Sequence, residues 1–402
     1  MAKILIISTI FRPEPLVESV IAHDIANDLA KKHNVVVLCP EPSRPAGFDL
    51  IECKDSYLFN VIRLKSFTYP NSKLFGRLRE SFSFGKHCVS YIRKNKNEID
   101  CIYVNAWPLF AQYQIAKEAK RINIPYAVHV HDIYPESLLD KLPSMFSKFA
   151  FRLLLPIDAF VLRNASKIVG ISNAMNKYLS ISRKVNLSKF QEVRNWQEDN
   201  YFIDFIPQNR PKNEFIFMYL GSISRSAGVE TLIYAFHQAN LDKAKLIIAG
   251  NGSDKVKCEE IVLNLGNKHI EFCDVLPENV PELQSYSDVL LLPLKVGIAL
   301  TATPSKLTAY MLSGKPVIAG VEKGSDVDCM ISQGNFGFVV EPENVEALSD
   351  CMIKVFDIPK KEIETLGANA KQYGMSNFTK DVNLRKLVDV IETLLLKEDM
   401  IV

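Results

Sequence analysis

Short apolar runs of strand length alternate with amphipathic stretches of helix length along this 402-residue chain, and the alternation restarts halfway. In the first half, residues 3–8, 34–39, 60–63, 101–105, 126–130 and 167–171 read as strands. Residues 17–32 carry apolar side chains at 17, 20, 21, 25, 29 and 30, a helical spacing, and 108–122 and 144–164 also read as helices. Strands alternating with helices of this length mean βαβ units and a parallel sheet. A polar, proline-containing stretch over 198–212 then reads as a linker. Beyond it, strands are expected at 214–220, 245–249, 270–273, 289–293, 316–319 and 336–340. Helices are expected at 228–237, 253–265, 281–286, 305–313 and 345–356.

The fold class is therefore α/β, with two doubly wound, Rossmann-like parallel-sheet domains. We expect domains over 1–197 and 198–376, and a terminal amphipathic helix within 377–402 that is free to pack on either. Open α/β sheets bind ligands at the carboxyl ends of their strands, so a cleft between the two domains is the expected site.

Several chemistries lack sequence support. The eight cysteines form no Cys-x-x-Cys pair, so neither a zinc ribbon nor a redox dithiol is indicated. They read as small buried thiols of a reducing compartment. The amino-terminal stretch is too short for a signal peptide, and no uncharged apolar run reaches about 18 residues. A cytoplasmic protein is expected. The turn after the first strand, Thr9-Ile-Phe-Arg-Pro-Glu-Pro15, holds no glycine, so the dinucleotide fingerprint is missing. Neither a P-loop nor a Gly-x-Ser-x-Gly elbow occurs.

The net charge of +2 hides an asymmetry. Residues 1–200 hold 28 Lys/Arg against 19 Asp/Glu, a net of +9, and the remainder holds 20 against 27, a net of −7. The excess is concentrated in 61–97, where nine basic residues face one acid, Glu80, with Phe67, Tyr69, Phe75, Phe82 and Phe84 interleaved. A basic, aromatic surface suits anionic lipid headgroups. The spacing matches no RNA module, and no nucleic-acid partner is expected.

Three loops carry polar residues where chemistry is expected. Gly221-Ser-Ile-Ser-Arg-Ser-Ala-Gly228 joins a strand to a helix, and its small residues let backbone N–H groups approach a phosphate, with Arg225 as a possible bidentate partner. Pro304-Ser305-Lys306 opens a helix that stops at Gly314. A lysine there opposes the helix dipole, and a bound diphosphate resolves the conflict. His129-Val-His-Asp132 and Glu136 sit at a strand's carboxyl end. His129 reads as packed core and His131 as the functional candidate. Without a third ligand, a metal is not expected.

Together these pieces resemble the GT-B glycosyltransferases, specifically the retaining group called glycosyltransferase family four, and among them bacterial O-antigen and capsule enzymes of the N-acetylfucosamine transferase type. Phe11-Arg-Pro-Glu14 resembles that group's turn after the first strand, and 42–47 a motif after the second. His131-Asp-Ile-Tyr-Pro-Glu-Ser137, Asn195-Trp196 with Asp199, and Pro304-Ser-Lys306 through Gly314-Lys-Pro316 resemble further motifs, in the family's order.

The resemblance implies sugar transfer from a nucleotide diphosphate sugar, UDP-linked, to a lipid-linked or growing polysaccharide acceptor at the inner-membrane surface. It implies no metal and no cofactor, the nucleotide sugar being a co-substrate. It assigns the donor to Gly221, Ser222, Arg225, Cys273, Val275, Thr301, Pro304, Ser305 and Lys306, and the acceptor side to Arg12 and Glu14. Catalytic roles fall to His131, Asp132, Arg225 and Lys306. The chain departs from the family where many members carry two glutamates, here Thr301 and Ala309, and a lysine before Gly228, here Ala227. Two alternatives follow: a nucleotide-sugar 2-epimerase on the same architecture, and a non-catalytic nucleotide-sugar-binding partner.

Overall fold

The computed structural model describes the chain except residues 15, 45–56, 70–73, 106–107, 140–143, 197–198, 207–213, 277–278, 302–303 and 397–402, together with the side chains of 74, 138–139, 144–147, 226, 300–301 and 305. It divides into two compact units, Met1–Gln197 with Lys380–Val402, and Glu198–Thr379.

The first unit is built on seven strands: β1 (Lys3–Ile7), β2 (Asn34–Pro40), β3 (Asn60–Leu64), β4 (Cys101–Asn105), β5 (Tyr126–Val130), β6 (Lys167–Gly170) and β7 (Phe190–Glu192). They pair in the order β3-β2-β1-β4-β5-β6-β7, all parallel. Alternate residues feed two cores. Leu5, Ile7, Val36 and Leu38 pack on one face with Phe84, Cys88 and Ile92 of the helix Leu74–Lys94. Ile4, Ile6, Val35 and Val37 pack on the other with Ile21 and Ile25 of the helix Val17–Leu29. Leu387, Val388, Val390 and Ile391 of the terminal helix Lys380–Thr393 complete that second core, so this helix belongs to the first unit.

The second unit holds β8 (Phe215–Leu220), β9 (Ala244–Ala249), β10 (Ile270–Cys273), β11 (Val289–Pro293), β12 (Val317–Gly320) and β13 (Gly337–Val340). Their order is β10-β9-β8-β11-β12-β13, again all parallel. Strand order reverses between β1 and β4 in one sheet and between β8 and β11 in the other. Those switch points place the loops after β1 and β8 where ligands of such sheets bind.

Among the elements that periodicity did not show are β7, the helices Leu74–Lys94, Asn173–Arg183, Asp326–Gly334 and Lys360–Asn377, and a short helix, Asn200–Ile203, in the expected linker. No helix among the described residues is long and apolar enough to cross a membrane.

Candidate functional site

In the second unit the site begins with three glycines that bring two loops together. Gly221 follows β8 with φ +149°, and Gly250 follows β9 with φ +139°. A Cβ on Gly250 would lie 2.1 Å from the Gly221 carbonyl oxygen, and one on Gly252 would lie 2.2 Å from that of Ile223. Only glycine permits this approach. The Gly221 N–H donates to Ala249 O and the Ile223 N–H to Asn251 O, each at 2.9 Å, which fixes the loop's path.

Lys306 runs across the same glycine. A Cβ on Gly221 would stand 1.9 Å from the lysine Cε. The helix that carries it, Ser305–Leu312, is preceded by Pro304 in an extended conformation. Its apolar face seats Leu307, Tyr310 and Met311 in the core, and the Tyr310 hydroxyl bonds both the N–H and the carbonyl of Leu220 at 3.0 Å. The helix start is thereby fixed against the end of β8.

The Lys306 ammonium donates to the Tyr219 hydroxyl at 2.8 Å and pairs with no carboxylate among the described residues. Burial lowers its pKa from the usual lysine value. A half-buried cation with no anionic partner among the described residues can receive one.

The other donor-side candidates surround this point. Ser222 and Arg225 are exposed, and Arg225 makes no ion pair with a described residue. Cys273 ends β10 and Val275 follows it, both half-buried, and the Cys273 carbonyl accepts from the Gly250 N–H at 2.9 Å. Asp274 between them is paired with Lys255 at 2.7 Å. The side chains of Thr301 and Ser305 lie outside the described residues. Lys315, in the Gly-Lys-Pro stretch, donates to the carbonyls of Ser285 and Ser287 at 2.9 and 2.7 Å and so serves structure.

In the first unit, Glu14 is buried and its oxygens accept the N–H groups of Phe11, Ser43 and Arg44 at 3.1, 3.0 and 2.9 Å. It ties the loop after β1 to the loop after β2. Arg63 donates to the Arg12 carbonyl, which fixes the same turn. Residues 45–47 of the second motif lie outside the described residues.

At the end of β5, His129 is buried and hydrogen-bonds the Tyr103 hydroxyl at 2.7 Å through Nδ1. Its ring lies 4.1 Å, centroid to centroid, from that of His131. Both ring nitrogens of His131 and the Asn195 Oδ1 are buried, and their only hydrogen-bonding relation among the described residues is with each other's side chains. Burial pulls the His131 pKa down to about 4, against the pull of the Asp132 charge and of Asn195, so the ring is neutral at pH 7. Asp132 itself is exposed.

The loop that carries them is anchored from below. Arg183, fully buried, donates to both oxygens of Glu136 at 2.7 and 2.6 Å, to Asp158 at 2.7 Å and to the Tyr134 carbonyl at 2.5 Å. Glu136 is therefore an anchor. Sequence reasoning missed Arg183 and Tyr219, because neither belongs to a local pattern.

The basic segment needs a correction. Phe84 belongs to the core, and Arg77 pairs with Glu80 and Arg93 with Glu118. The solvent face of the helix Leu74–Lys94 includes the stripe Phe75, Arg79, Phe82 and Lys86, and Arg93 and Lys94 are exposed at its end. No group of His, Cys, Asp and Glu among the described residues has a metal-holding arrangement.

Two parallel, doubly wound sheets, each with a strand-order switch point, define the class of fold, GT-B. Residues 19–195 match the family described as Glycosyltransferase Family 4, and residues 202–373 match Glycosyl transferases group 1. The chain belongs to the family-four, group 1 glycosyltransferases, and is an enzyme of that class.

It is 23% identical over 286 residues to the probable glycosyltransferase WbjE of Pseudomonas aeruginosa, covering 68% of this chain and 70% of that one. A glycosyltransferase of Rickettsia africae has the same fold, with a TM-score of 0.67 at 18% identity over 99% of both chains. Anabaena HepE, solved in complex with UDP-glucose, gives a TM-score of 0.61 at 17% identity, covering 98% of this chain and 100% of that one.

Proposed function

We propose that this enzyme is a retaining transferase that moves a sugar from a UDP-linked donor to a hydroxyl of a lipid-linked or growing polysaccharide acceptor, as in O-antigen or capsule assembly. The observation that carries the reading is the Lys306 ammonium, set against Gly221 and Tyr219 and paired with no carboxylate among the described residues. A donor diphosphate supplies the missing anion, and its negative charge grows as the sugar–phosphate bond breaks. Lys306, with Arg225 on the adjoining loop, offsets that charge, which is electrostatic stabilisation aimed at the transition state.

Cys273 and Val275 line the loop beside Gly250, where the nucleotide base is assigned, and the backbone from Gly221 to Ser222 contacts the phosphates. In the first unit, the neutral His131 ring and the Asn195 side chain beside it suit hydroxyls of the transferred sugar. Asp132 lies beside them, and the turn Arg12–Glu14 shapes the acceptor side. The UDP-glucose held by HepE and the naming of WbjE as a glycosyltransferase support this donor class. The stripe Phe75, Arg79, Phe82, Lys86 supports work at the cytoplasmic membrane face.

With Thr301, Ala309 and Ala227 in place of the usual acids and lysine, Arg225 and Lys306 are the cations on which transfer depends. A thermal-shift panel of UDP-, GDP-, dTDP- and ADP-sugars tests the donor, since binding raises the melting temperature. Transfer assays with the stabilising sugar then test the reaction. Stabilisation by a UDP-sugar with transfer supports the proposal, and stabilisation by a different nucleotide sugar overturns the UDP-linked donor.

A further inference from the structure

We infer that Tyr219 is the positioning residue for Lys306: its phenol aims the ammonium at the donor phosphates while leaving the full positive charge available to them. The inference rests on the donor reading above.

Tyr219 sits in β8, two residues before the phosphate loop, with its side chain completely buried. Its hydroxyl donates to the Ser222 carbonyl at 2.5 Å. The phenolic proton is thereby committed to the loop, and the oxygen lone pair is turned to Lys306 Nζ, 2.8 Å away. The ammonium also lies 5.0 Å from the centroid of the same ring. One side chain thus joins the loop backbone to the cation that the loop serves.

The choice of partner matters. A carboxylate in this place would hold lysine more tightly, but would neutralise it and compete with the diphosphate. A phenol is a neutral acceptor. It favours the ammonium over the amine, because a hydrogen bond to the charged form stabilises that form. Burial works in the other direction and lowers the lysine pKa. Tyr219 therefore keeps protonated a lysine that its surroundings tend to discharge. The glycine at 221 leaves the corridor through which the lysine reaches the hydroxyl.

The test is a double-mutant cycle read by UDP binding in calorimetry, repeated across pH 7–10. Lys306→Ala should weaken UDP about tenfold or more, the loss of one charge-assisted contact. Tyr219→Phe keeps the ring and packing and removes one oxygen. It should weaken UDP at pH 7 by about tenfold and move the alkaline loss of binding to lower pH. In the Lys306→Ala background Tyr219→Phe should add nothing, because its target is gone. Tyr219→Leu, checked for native circular dichroism, should repeat the pattern with a different apolar side chain.

If the two effects multiply, or if the alkaline limb stays where it is, Tyr219 acts on the Ser222 loop alone and the inference is overturned. If Tyr219→Phe binds UDP as the wild type does while Lys306→Ala does not, the inference fails and the donor reading stands. If Lys306→Ala binds UDP as tightly as the wild type, the donor reading itself fails and the inference with it.

Discussion

Trp196 Nε1 donates to Asp24 Oδ2 at 2.9 Å, and Lys380 Nζ reaches the same carboxylate at 2.9 Å. The chain leaves the first unit after Gln197 and re-enters it at Lys380, so one buried aspartate on the helix Val17–Leu29 tethers both crossings. Burial opposes the charge on Asp24, yet hydrogen bonds from His23, Trp196 and Lys380 hold its pKa below the usual value of 3.8. Asp24→Ala leaves the buried indole N–H without an acceptor, while Lys380 regains water. We expect a loss of about 2 kcal/mol at pH 7, measured by urea unfolding. A depressed carboxylate stabilises the fold fully above its unfolded pKa and ceases to do so as pH falls through its folded one. The gap between wild type and variant should therefore close below the usual value of 3.8. A gap that persists undiminished at pH 2 would count against the pairing.

Arg183 supports the loop of His131 and Asp132 by a different route, and its removal should be severe. Arg183→Ala strands the carboxylates of Glu136 and Asp158, and breaking a buried ion pair on one side costs about 3–5 kcal/mol. Burial already pushes the Asp158 carboxyl up to about 6, against the pull of Arg183. A raised carboxylate favours the fold below its unfolded pKa, and that advantage is lost as pH rises through the folded value. Without Arg183 the carboxyl rises further. Guanidinium unfolding should show a smaller deficit for the variant at pH 4 than at pH 7.5. Equal deficits would mean that Asp158 is solvated.

Gly221 and Gly250 make a contrast that separates fold from function. A Cβ on Gly221 meets the far end of the Lys306 side chain, which can swing aside. A Cβ on Gly250 meets the Gly221 backbone, which cannot. Both residues have φ values that strain any other side chain. We expect Gly221→Ala to lose UDP binding by tenfold or more for about 1 kcal/mol of stability, and Gly250→Ala to lose about 3 kcal/mol. Thermal unfolding beside UDP calorimetry distinguishes them, and the reverse ranking of stabilities would refute the packing argument.

How far the sequence could be read follows from where its information is local. The strands were legible because parallel strands covered on both faces become near-continuous apolar runs, as in Val35-Val36-Val37-Leu38. The helix Lys360–Asn377 was not, because it packs partly through small residues. A Cβ on Gly367 would meet the Gly314 carbonyl oxygen at 2.3 Å, a contact no hydrophobic pattern announces. Lys306 stood out because a lysine at a helix start is locally costly. Tyr219 did not, since a tyrosine inside an apolar strand reads as core and its partner lies 87 positions away. Arg183, at a helix end, reads as a solvated cation until Glu136 and Asp158, 47 and 25 positions earlier, fold onto it.

The neutral imidazole of His131 gives a prediction about pH. Its pKa is lowered from 6.5 to about 4. A histidine held neutral destabilises the fold as pH falls, because the unfolded chain takes up a proton the folded chain refuses. Between pH 6.5 and 4 stability should decline by about 3 kcal/mol at most on this account, and His131→Gln should flatten the decline. The pH–rate profile of transfer should likewise cross 6.5 without a step from this residue. A His131 ring signal titrating near 6.5 in NMR would contradict the burial.

The solvent stripe of the helix Leu74–Lys94 predicts a lipid preference. Phe75 and Phe82 are 86% and 50% exposed, and Arg79 and Lys86 alternate with them at helical spacing. Arg79 lies 4.2 Å over the Phe67 ring, which keeps its charge near the surface. Glu80, the acid of the segment, faces inward and is taken up by Arg44 and Arg77. Each cation near an anionic bilayer contributes about 1 kcal/mol, and the apolar rings add burial in the interface. Flotation with phosphatidylglycerol vesicles should carry the protein at low salt and release it as salt rises, while phosphatidylcholine vesicles should not carry it. Arg79→Glu with Lys86→Glu should reduce binding more than tenfold without lowering the melting temperature, because neither side chain supports the core. Equal flotation with neutral vesicles, or unchanged flotation of the double variant, would remove this stripe from any role at a membrane.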